Sequence, residues 1–90
     1  MSLLKRVVLD VLKPHQPNAL EFASAIADQS GGYRVTVTVS AVDEKTETTV
    51  VVIESDDIQY EAVIEVISAL GGSVHSIDEV EVTSSPQEQS

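Results

Sequence analysis

Two carboxylates and a hydroxyl are the first residues whose types and spacing suggest chemistry. Asp10 interrupts an apolar run, and Ser76 and Asp78 stand two positions apart near the far end of the chain. We expect their strands to pair antiparallel, with Leu12 near Val74. In that register Asp10 lies beside Ser76, and Asp78 is diagonal on the same face. Such oxygen ligands bind hard cations; the alternative is that Asp10 is a polar residue of an open sheet face, paired with a Lys or Arg of its own or a neighbouring chain.

A second acidic group, Asp43, Glu44 and Glu47, surrounds a predicted hairpin turn. Asp43 and Glu47 stand on either side of the turn, where their oxygens can converge on calcium. The segment lacks the spacing and the glycine of an EF-hand loop, so a plain solvated hairpin is the alternative. The predicted metal ligands are therefore Asp10, Asp78, Asp43 and Glu47, with calcium or magnesium as the cation.

Two histidines, His15 and His75, complete the set of candidate ligands and proton carriers. His15 follows the first predicted strand, and His75 lies near the start of the last one. An antiparallel pair of these strands puts both histidines near the same end of the sheet, where they can approach each other. The alternative is that each histidine makes ordinary hydrogen bonds in a loop.

Composition excludes several classes of function. The chain has 90 residues, which suit one domain, and no cysteine, so we expect no disulfide framework and no thiolate metal site. Fifteen acids against five bases give a formal charge of −10, which opposes nucleic-acid binding because affinity for phosphates comes mostly from Lys and Arg. The opening residues carry no long apolar segment, so we expect no signal peptide, no membrane span and a cytoplasmic protein. No glycine-rich phosphate loop and no Ser-His-acid or Cys-His set stands out.

The excess of acids also suggests a source. Asp and Glu in such numbers, with few lysines, suit a cell interior full of salt, because the Debye length falls to ~3 Å at 1 M and self-repulsion is screened. The single Phe fits the same interpretation. We therefore expect a halophilic organism, with the acids on a solvated surface rather than against a basic partner.

Six elements must position these residues. Runs of valine predict four strands, and apolar residues at helical spacing predict two helices. The predicted strands cover about 5–12, 33–42, 47–54 and 73–82, and the predicted helices cover about 17–28 and 57–70. Residues 1–82 then form one domain, and the acidic and polar residues 83–90 form a disordered tail.

Side-chain types also predict how the helices begin and which sides are buried. The pair Asp56 and Gln59 has the spacing of a capping box, which marks the start of the second helix. In the first helix the expected buried residues are Leu20, Ala23 and Ile26 or Ala27, with Phe22 beside them. In the second helix the expected core stripe is Tyr60, Val63, Ile64, Ile67 and Leu70.

The order β-α-β-β-α-β is the split βαβ pattern of the ferredoxin-like fold, in the α+β class. Right-handed crossovers give the sheet order 4-1-3-2, with both helices on one face. The central strands 1 and 3 carry apolar residues at both odd and even positions. Because two helices cover only one face, the leftover valines and Leu12 form an exposed apolar patch, which soluble monomers rarely tolerate. We therefore expect a homo-oligomer.

The chain resembles the small archaeal family known as domain of unknown function 211. The resemblance lies in residues 9–15 (Leu-Asp-Val-Leu-Lys-Pro-His) with Pro17 two positions further, in the hairpin 43–47, and in residues 71–80 (Gly-Gly-Ser-Val-His-Ser-Ile-Asp-Glu-Val). It covers about 5–82. The resemblance implies a ferredoxin-like fold, an archaeal source and ring-like homo-oligomers, and it implies no activity. The acidic surface departs from less halophilic members of the family.

Three functions remain open from the sequence. The main hypothesis is a non-enzymatic self-assembling module that binds a divalent cation or a small ligand between subunits. The alternative is a small metal-assisted enzyme that uses Asp10, Asp78 and a histidine, and the third is an inert structural scaffold. A deep pocket with convergent carboxylates and a histidine would favour the enzyme, whereas a flat apolar contact would favour the scaffold.

Overall fold

A computed structural model describes residues 2–84 of the chain. Six elements follow one another along it. They are β1 (Ser2–Pro14), α1 (Ala19–Ala27), β2 (Arg34–Val42), β3 (Thr46–Glu54), α2 (Tyr60–Ala69) and β4 (Ser73–Ser84). This order confirms the predicted β-α-β-β-α-β pattern and the α+β class, and it is consistent with a ferredoxin-like fold. No helix among these residues is long and apolar enough to cross a membrane.

The four strands form one antiparallel sheet in the order β2-β3-β1-β4. This order is the predicted 4-1-3-2 read from the other edge, with β1 and β3 at the centre. Valine-rich strands with apolar residues at consecutive positions suit the centre of a sheet, where both neighbours are strands. β2 and β4 are the outer strands, and they run antiparallel to each other.

One face of the sheet carries the core, and we call it the helix face. The odd-numbered side chains of β3, and those of β1 from Val7 onward, point to it and pack under both helices, because side chains alternate along a strand. The fully buried apolar members of this layer are Val7, Leu9, Val11, Val51 and Ile53 from the sheet and Phe22, Ile26, Val63 and Ile67 from the helices. Each such side chain contributes about 1.5–3 kcal/mol when it leaves water. The opposite side, which we call the open face, bears the even-numbered residues of β3 and those of β1 from Arg6 onward, and it has no helix in the described part of the chain.

Capping explains where the helices begin. The Asn18 side chain accepts a hydrogen bond from the Glu21 amide (2.9 Å), and the Glu21 carboxylate accepts one from the Asn18 amide (3.2 Å), which makes a capping box at α1. The predicted capping box of Asp56 and Gln59 was wrong, since Gln59 is the N-cap of α2 and its side chain makes no capping bond. The Gln59 amide instead donates to the Tyr33 hydroxyl at 2.8 Å.

The predicted buried side of the first helix was partly wrong. Leu20 is 74% exposed, and the buried residues of α1 are Phe22 and Ile26, one helical turn apart. The cap at Asn18 starts the helix at Ala19 rather than at Pro17, and the packing of Phe22 and Ile26 determines which side of the helix meets the sheet. In α2 the predicted stripe was right for Val63 and Ile67, which are fully buried, and Tyr60 and Leu70 are partly buried against the core. Ile64 is only partly buried and does not belong to the core cluster.

The long strands β1 and β4 extend further than predicted. β1 runs from Ser2 to Pro14, and β4 continues through Thr83 to Ser84, so the first two residues of the predicted tail pair with the start of β1. The backbone hydrogen bonds between β1 and β4 continue beyond the apolar residues of both strands, and this pairing extends each strand. The remainder of the predicted tail, 85–90, lies outside the described residues.

Candidate functional site

The predicted pair of carboxylates lies where β1 meets β4. Asp10 is directly opposite Ser76, as expected, and the Ser76 hydroxyl donates to Asp78 Oδ1 at 2.7 Å. The rest of the predicted register was wrong: Val74 is opposite Val11 rather than Leu12, because the ladder shifts by one residue between Asp10 and Val11. A β-bulge of this kind adds one unpaired residue to a strand.

The structure brings two carboxylates and one hydroxyl together on the open face. Among residues 2–84 there is no group of three or more His, Cys, Asp or Glu side chains placed to hold a metal. Neither histidine therefore joins Asp10 and Asp78 in such a group. Calcium takes six to eight oxygens and magnesium near-octahedral coordination, so a cation at this place needs water or a neighbouring chain to complete its shell.

The most enclosed charged group lies at the other end of β1. Lys13 is fully buried on the helix face, and its ammonium donates to Glu47 Oε1 (2.9 Å) and to the Pro14 carbonyl (2.9 Å). The same nitrogen lies 5.7 Å from the centroid of the Phe22 ring, within the range of a cation–π contact. A buried ammonium is tolerated only when its donors find partners, and here each partner is supplied by β1, β3 or α1.

His15 completes this group from the connection after β1. Its Nδ1 lies 3.0 Å from Glu47 Oε2, and its Nε2 lies 3.0 Å from the Glu44 carbonyl oxygen. Both partners are acceptors, so only the doubly protonated imidazolium satisfies both bonds. The bond to Glu47, followed by the bond to the Glu44 carbonyl, raises the pKa of His15 above its ordinary value. The pKa of Glu47 is lowered in turn, first by His15 and then by Lys13.

These bonds bear on the predicted calcium ligands of the hairpin. Both carboxylate oxygens of Glu47 accept from cations, and a divalent cation would have to displace Lys13 and His15 from them. Asp43 is exposed, and its backbone amide donates to the Thr46 carbonyl at 2.8 Å, which closes the turn. The metal assignment at Asp43 and Glu47 stays a prediction.

The two histidines lie toward opposite edges of the sheet. His15 bonds to Glu47 of β3, which is on one side of β1, whereas His75 belongs to β4 on the other side. The β1–β4 register also shifts near His75, which has no direct partner in β1. The expectation that the two rings approach each other has no hydrogen bond to support it among the described residues.

A row of alternating charges crosses the sheet near the start of β1, and we call it the charge row. It consists of Arg34, Glu54, Arg6 and Glu81, one residue from each strand, each opposite the next. Arg6 Nη1 lies 2.6 Å from Glu54 Oε2, and Arg6 Nε lies 2.9 Å from Glu79 Oε2. The bond to Glu79, followed by the bond to Glu54, raises the pKa of Arg6.

A cavity of about 620 Å³ lies beside the charge row. Three of the five basic residues of the chain, Lys5, Arg6 and Arg34, line it together with Gly31 and Gly32. Its volume suits a small ligand. Three acidic side chains also line it, namely Glu54, Asp56 and Glu81. The lining therefore favours neither sign of charge.

Sequence reasoning missed Lys13 and Arg6, the two bases that organise these groups. The signal for Lys13 was available, because it continues the odd-numbered series of Val7, Leu9 and Val11 that points to the core. For Arg6 the signal was its place at the start of an even-numbered series on the open face. Neither the acid partners nor the bulges that align them can be found without the sheet register.

Comparisons with known proteins agree on one family. A family model described as "Uncharacterized ArCR" (DUF211) matches residues 5–88. The uncharacterized protein MJ0319 of the archaeon Methanocaldococcus jannaschii is 40% identical over 80 residues, which are 89% of this chain and 82% of that protein. The suggested resemblance is confirmed, and a halophilic source stays a prediction. The chain belongs to the DUF211 family.

Proposed function

We propose that the protein is a non-enzymatic, self-assembling module that forms homo-oligomers through its sheet. The observation that carries this proposal is the apolar centre of the open face. Val8 and Leu12 of β1 and Val50 and Val52 of β3 point away from both helices and are only partly buried. No element among residues 2–84 covers them, and contiguous apolar surface of this kind marks interaction sites.

The two edges of the sheet support the same proposal. β2 and β4 each pair with one neighbour only, so one side of each strand has backbone groups without a strand partner in the described chain. Such edges pair readily with another chain. β4 is 12 residues long and bears three half-exposed apolar side chains, Ile77, Val80 and Val82. A contact that repeats from copy to copy gives a ring or a filament, and the family resemblance implies the ring.

Sedimentation tests this proposal directly. We expect the wild-type protein to sediment as an oligomer at micromolar concentration, and Val8→Lys or Leu12→Glu to release monomers, because each places a charge in the apolar patch. Ser24→Lys is the matched control, since Ser24 is an exposed residue of α1. A wild-type protein that sediments as a monomer in both 0.15 M and 2 M potassium chloride would overturn the proposal.

A divalent cation between subunits is the second candidate function. Asp10, Ser76 and Asp78 share the open face, and a neighbouring copy can supply the oxygens that the group lacks. We expect calcium to shift the oligomer equilibrium, and Asp10→Asn or Asp78→Asn to abolish the shift. Asp28→Asn, at the exposed end of α1, is the control. An equal response of all three variants to calcium would contradict this candidate, and hydrolytic activity dependent on Asp10 would favour the metal-assisted enzyme instead.

A further inference from the structure

The two ends of the charge row differ from its middle. Arg6 and Glu54 bond to each other inside the sheet, at 2.6 Å. Arg34 and Glu81 stand at the outer strands, are exposed, and have no ion pair with any residue of 2–84. Within residues 2–84 the row therefore ends in a positive charge at the β2 edge and a negative charge at the β4 edge, each without an ion-pair partner.

The helix face shows the same arrangement with apolar side chains. The row next to the charge row consists of Val35, Ile53, Val7 and Val80. The following row on that face consists of Val37, Val51, Leu9 and Ile77. The inner members are fully buried, whereas Val80 is 55% exposed and Ile77 is 51% exposed. Both helices leave this part of β4 uncovered, so an apolar strip runs along the helix side of the β4 edge.

We propose that β4 of one copy pairs antiparallel with β2 of a second copy, with Glu81 opposite Arg34. This inference rests on the proposed self-association and names a contact distinct from the open face. β2 and β4 run antiparallel within the sheet, so a second copy in the same orientation continues the sheet without a change of direction. The ladder of backbone bonds supplies the attraction, as in other cases of strand addition.

The side chains specify one register for this contact. With Glu81 opposite Arg34, Val80 lies opposite Val35, and past the bulge at Asp78 Ile77 lies opposite Val37. α1 of the second copy, which packs beside its own β2, then extends the helix layer toward the uncovered strip. A slip of one residue would turn the valines of β4 to the wrong face. Glu79 is a poorer partner for Arg34 because its carboxylate already accepts from Arg6.

Charge reversal with a mixing step tests the contact. We expect Arg34→Glu and Glu81→Arg each to weaken association about fivefold or more near 0.1 M salt, because like charges then stand opposite each other. An equimolar mixture of the two variants should recover wild-type association, since each contact then joins opposite charges. The matched controls are Lys45→Glu in the hairpin and Glu61→Arg on α2, which change the net charge equally.

Disulfide trapping gives a second readout that does not depend on the strength of the ion pair. The chain has no cysteine, so Arg34→Cys and Glu81→Cys each introduce a single thiol. Directly opposed residues of an antiparallel pair bring Cα atoms within the 4.4–6.8 Å that a disulfide needs. Oxidation of the mixture should therefore give a covalent dimer of the two variants, and oxidation of either variant alone should not.

The outcomes separate this contact from self-association in general. An oligomeric wild type that responds to Val8→Lys but not to charge reversal, and that gives no mixed disulfide, overturns the edge contact and leaves the proposed function standing. A disulfide in Glu81→Cys alone shows a β4–β4 contact and also overturns it. A monomeric wild type overturns both.

Discussion

The same pair of strands holds a base opposite an acid at each end, and the two pairs have different surroundings. Lys13 is opposite Glu47, and Arg6 is opposite Glu54, both between β1 and β3. Lys13 has an odd number and points to the helix face, where its side chain is 0% exposed. Arg6 has an even number and points to the open face, where its side chain is 31% exposed. The odd or even position of the base in β1 therefore decides which of the two ion pairs is buried.

Glycines mark the same contrast between the two ends. At the Lys13 end a Cβ on Gly72 would lie 2.9 Å from Ile67 Cγ2 and 3.2 Å from Phe22 Cζ. At the Arg6 end Gly31 has nothing within 4 Å of such a Cβ, and it lines the cavity. We call the Lys13 end of the sheet, which is fully packed, the closed end. We call the Arg6 end, which has room for a ligand or a second copy, the open end. We infer that the closed end contributes more to the stability of the fold than the open end.

Removing the buried ammonium should have the largest effect. Lys13→Ala deletes the partner of Glu47 and leaves a void beside Phe22, so we expect a loss of roughly 3 kcal/mol in the free energy of unfolding, as for other broken buried pairs. Lys13→Met keeps the length of the side chain, and Glu47 keeps His15, so we expect about half that loss. Urea denaturation measures both. Equal losses for the two variants would show that packing contributes nothing at this position.

The sequence predicted the parts of this comparison that depend on periodicity. Element order, sheet order and the central places of β1 and β3 follow from runs of valine and the spacing between them. The alternation that buries Lys13 was also present in the sequence. The sequence did not show how β4 is aligned with β1, because bulges near Lys5, Asp78 and His75 each shift the pairing of the two strands by one residue. The β4 end of the charge row, Glu81, depends on those shifts, so no periodic pattern predicts it.

The helix starts show a second limit of the sequence. Asn18 and Asp56 are both good N-cap residues by type, and only Asn18 caps a helix. The Gln59 amide is bound by the Tyr33 hydroxyl, from a segment 26 residues away, so tertiary contact replaced the local cap. Asp10 was correctly expected opposite Ser76, although the Leu12–Val74 register used to place the pair was wrong, because the segment between the bulges at Asp78 and His75 has the expected register.

A glycine-to-alanine substitution at each end adds one methyl group and tests the difference in packing between the two ends. Gly72→Ala forces Ile67 and Phe22 to shift, so we expect a loss of about 1–3 kcal/mol from overpacking. Gly31→Ala meets open space, so we expect no loss, or a slight gain from reduced freedom of the unfolded chain. Thermal unfolding followed by circular dichroism compares the two. A larger loss at Gly31 would contradict the description of that end as open.

The closed end should also respond to pH through His15. The folded pKa of His15 is raised above 6.5, so its contribution to stability is fully present below pH 6.5 and disappears as pH rises through the folded value. The folded pKa of Glu47 is lowered below 4.5, so its contribution is present above pH 4.5 and disappears as pH falls through the folded value. The difference in stability between wild type and His15→Gln should therefore be largest between pH 4.5 and pH 6.5 and shrink as the pH rises through the folded pKa of His15.

Removal of Glu47 provides the control for this pH dependence. In a Glu47→Gln background the imidazolium loses its carboxylate partner, so His15→Gln should have a smaller effect that varies less with pH. A stability difference that grows as pH rises above 7 would show that neutral His15 is the stabilising form.

The smallest effect is expected at the open end, and salt should reveal it. Arg6→Gln removes two bonds to partly exposed acids, so its effect on unfolding should be well below that of Lys13→Ala. Raising potassium chloride from 0.1 M to 1 M shortens the Debye length from about 10 Å to about 3 Å. This change should reduce the difference in stability between wild type and Arg6→Gln. Both proteins should also become more stable, because salt screens the self-repulsion of their negative charge, which is −10 in the wild type.

The loss of stability caused by Lys13→Met should change little with salt, because a buried pair is screened much less than an exposed one. Equal salt dependence of the two losses would mean that the helices do not protect Lys13 from solvent, and the contrast between the two ends would then be wrong.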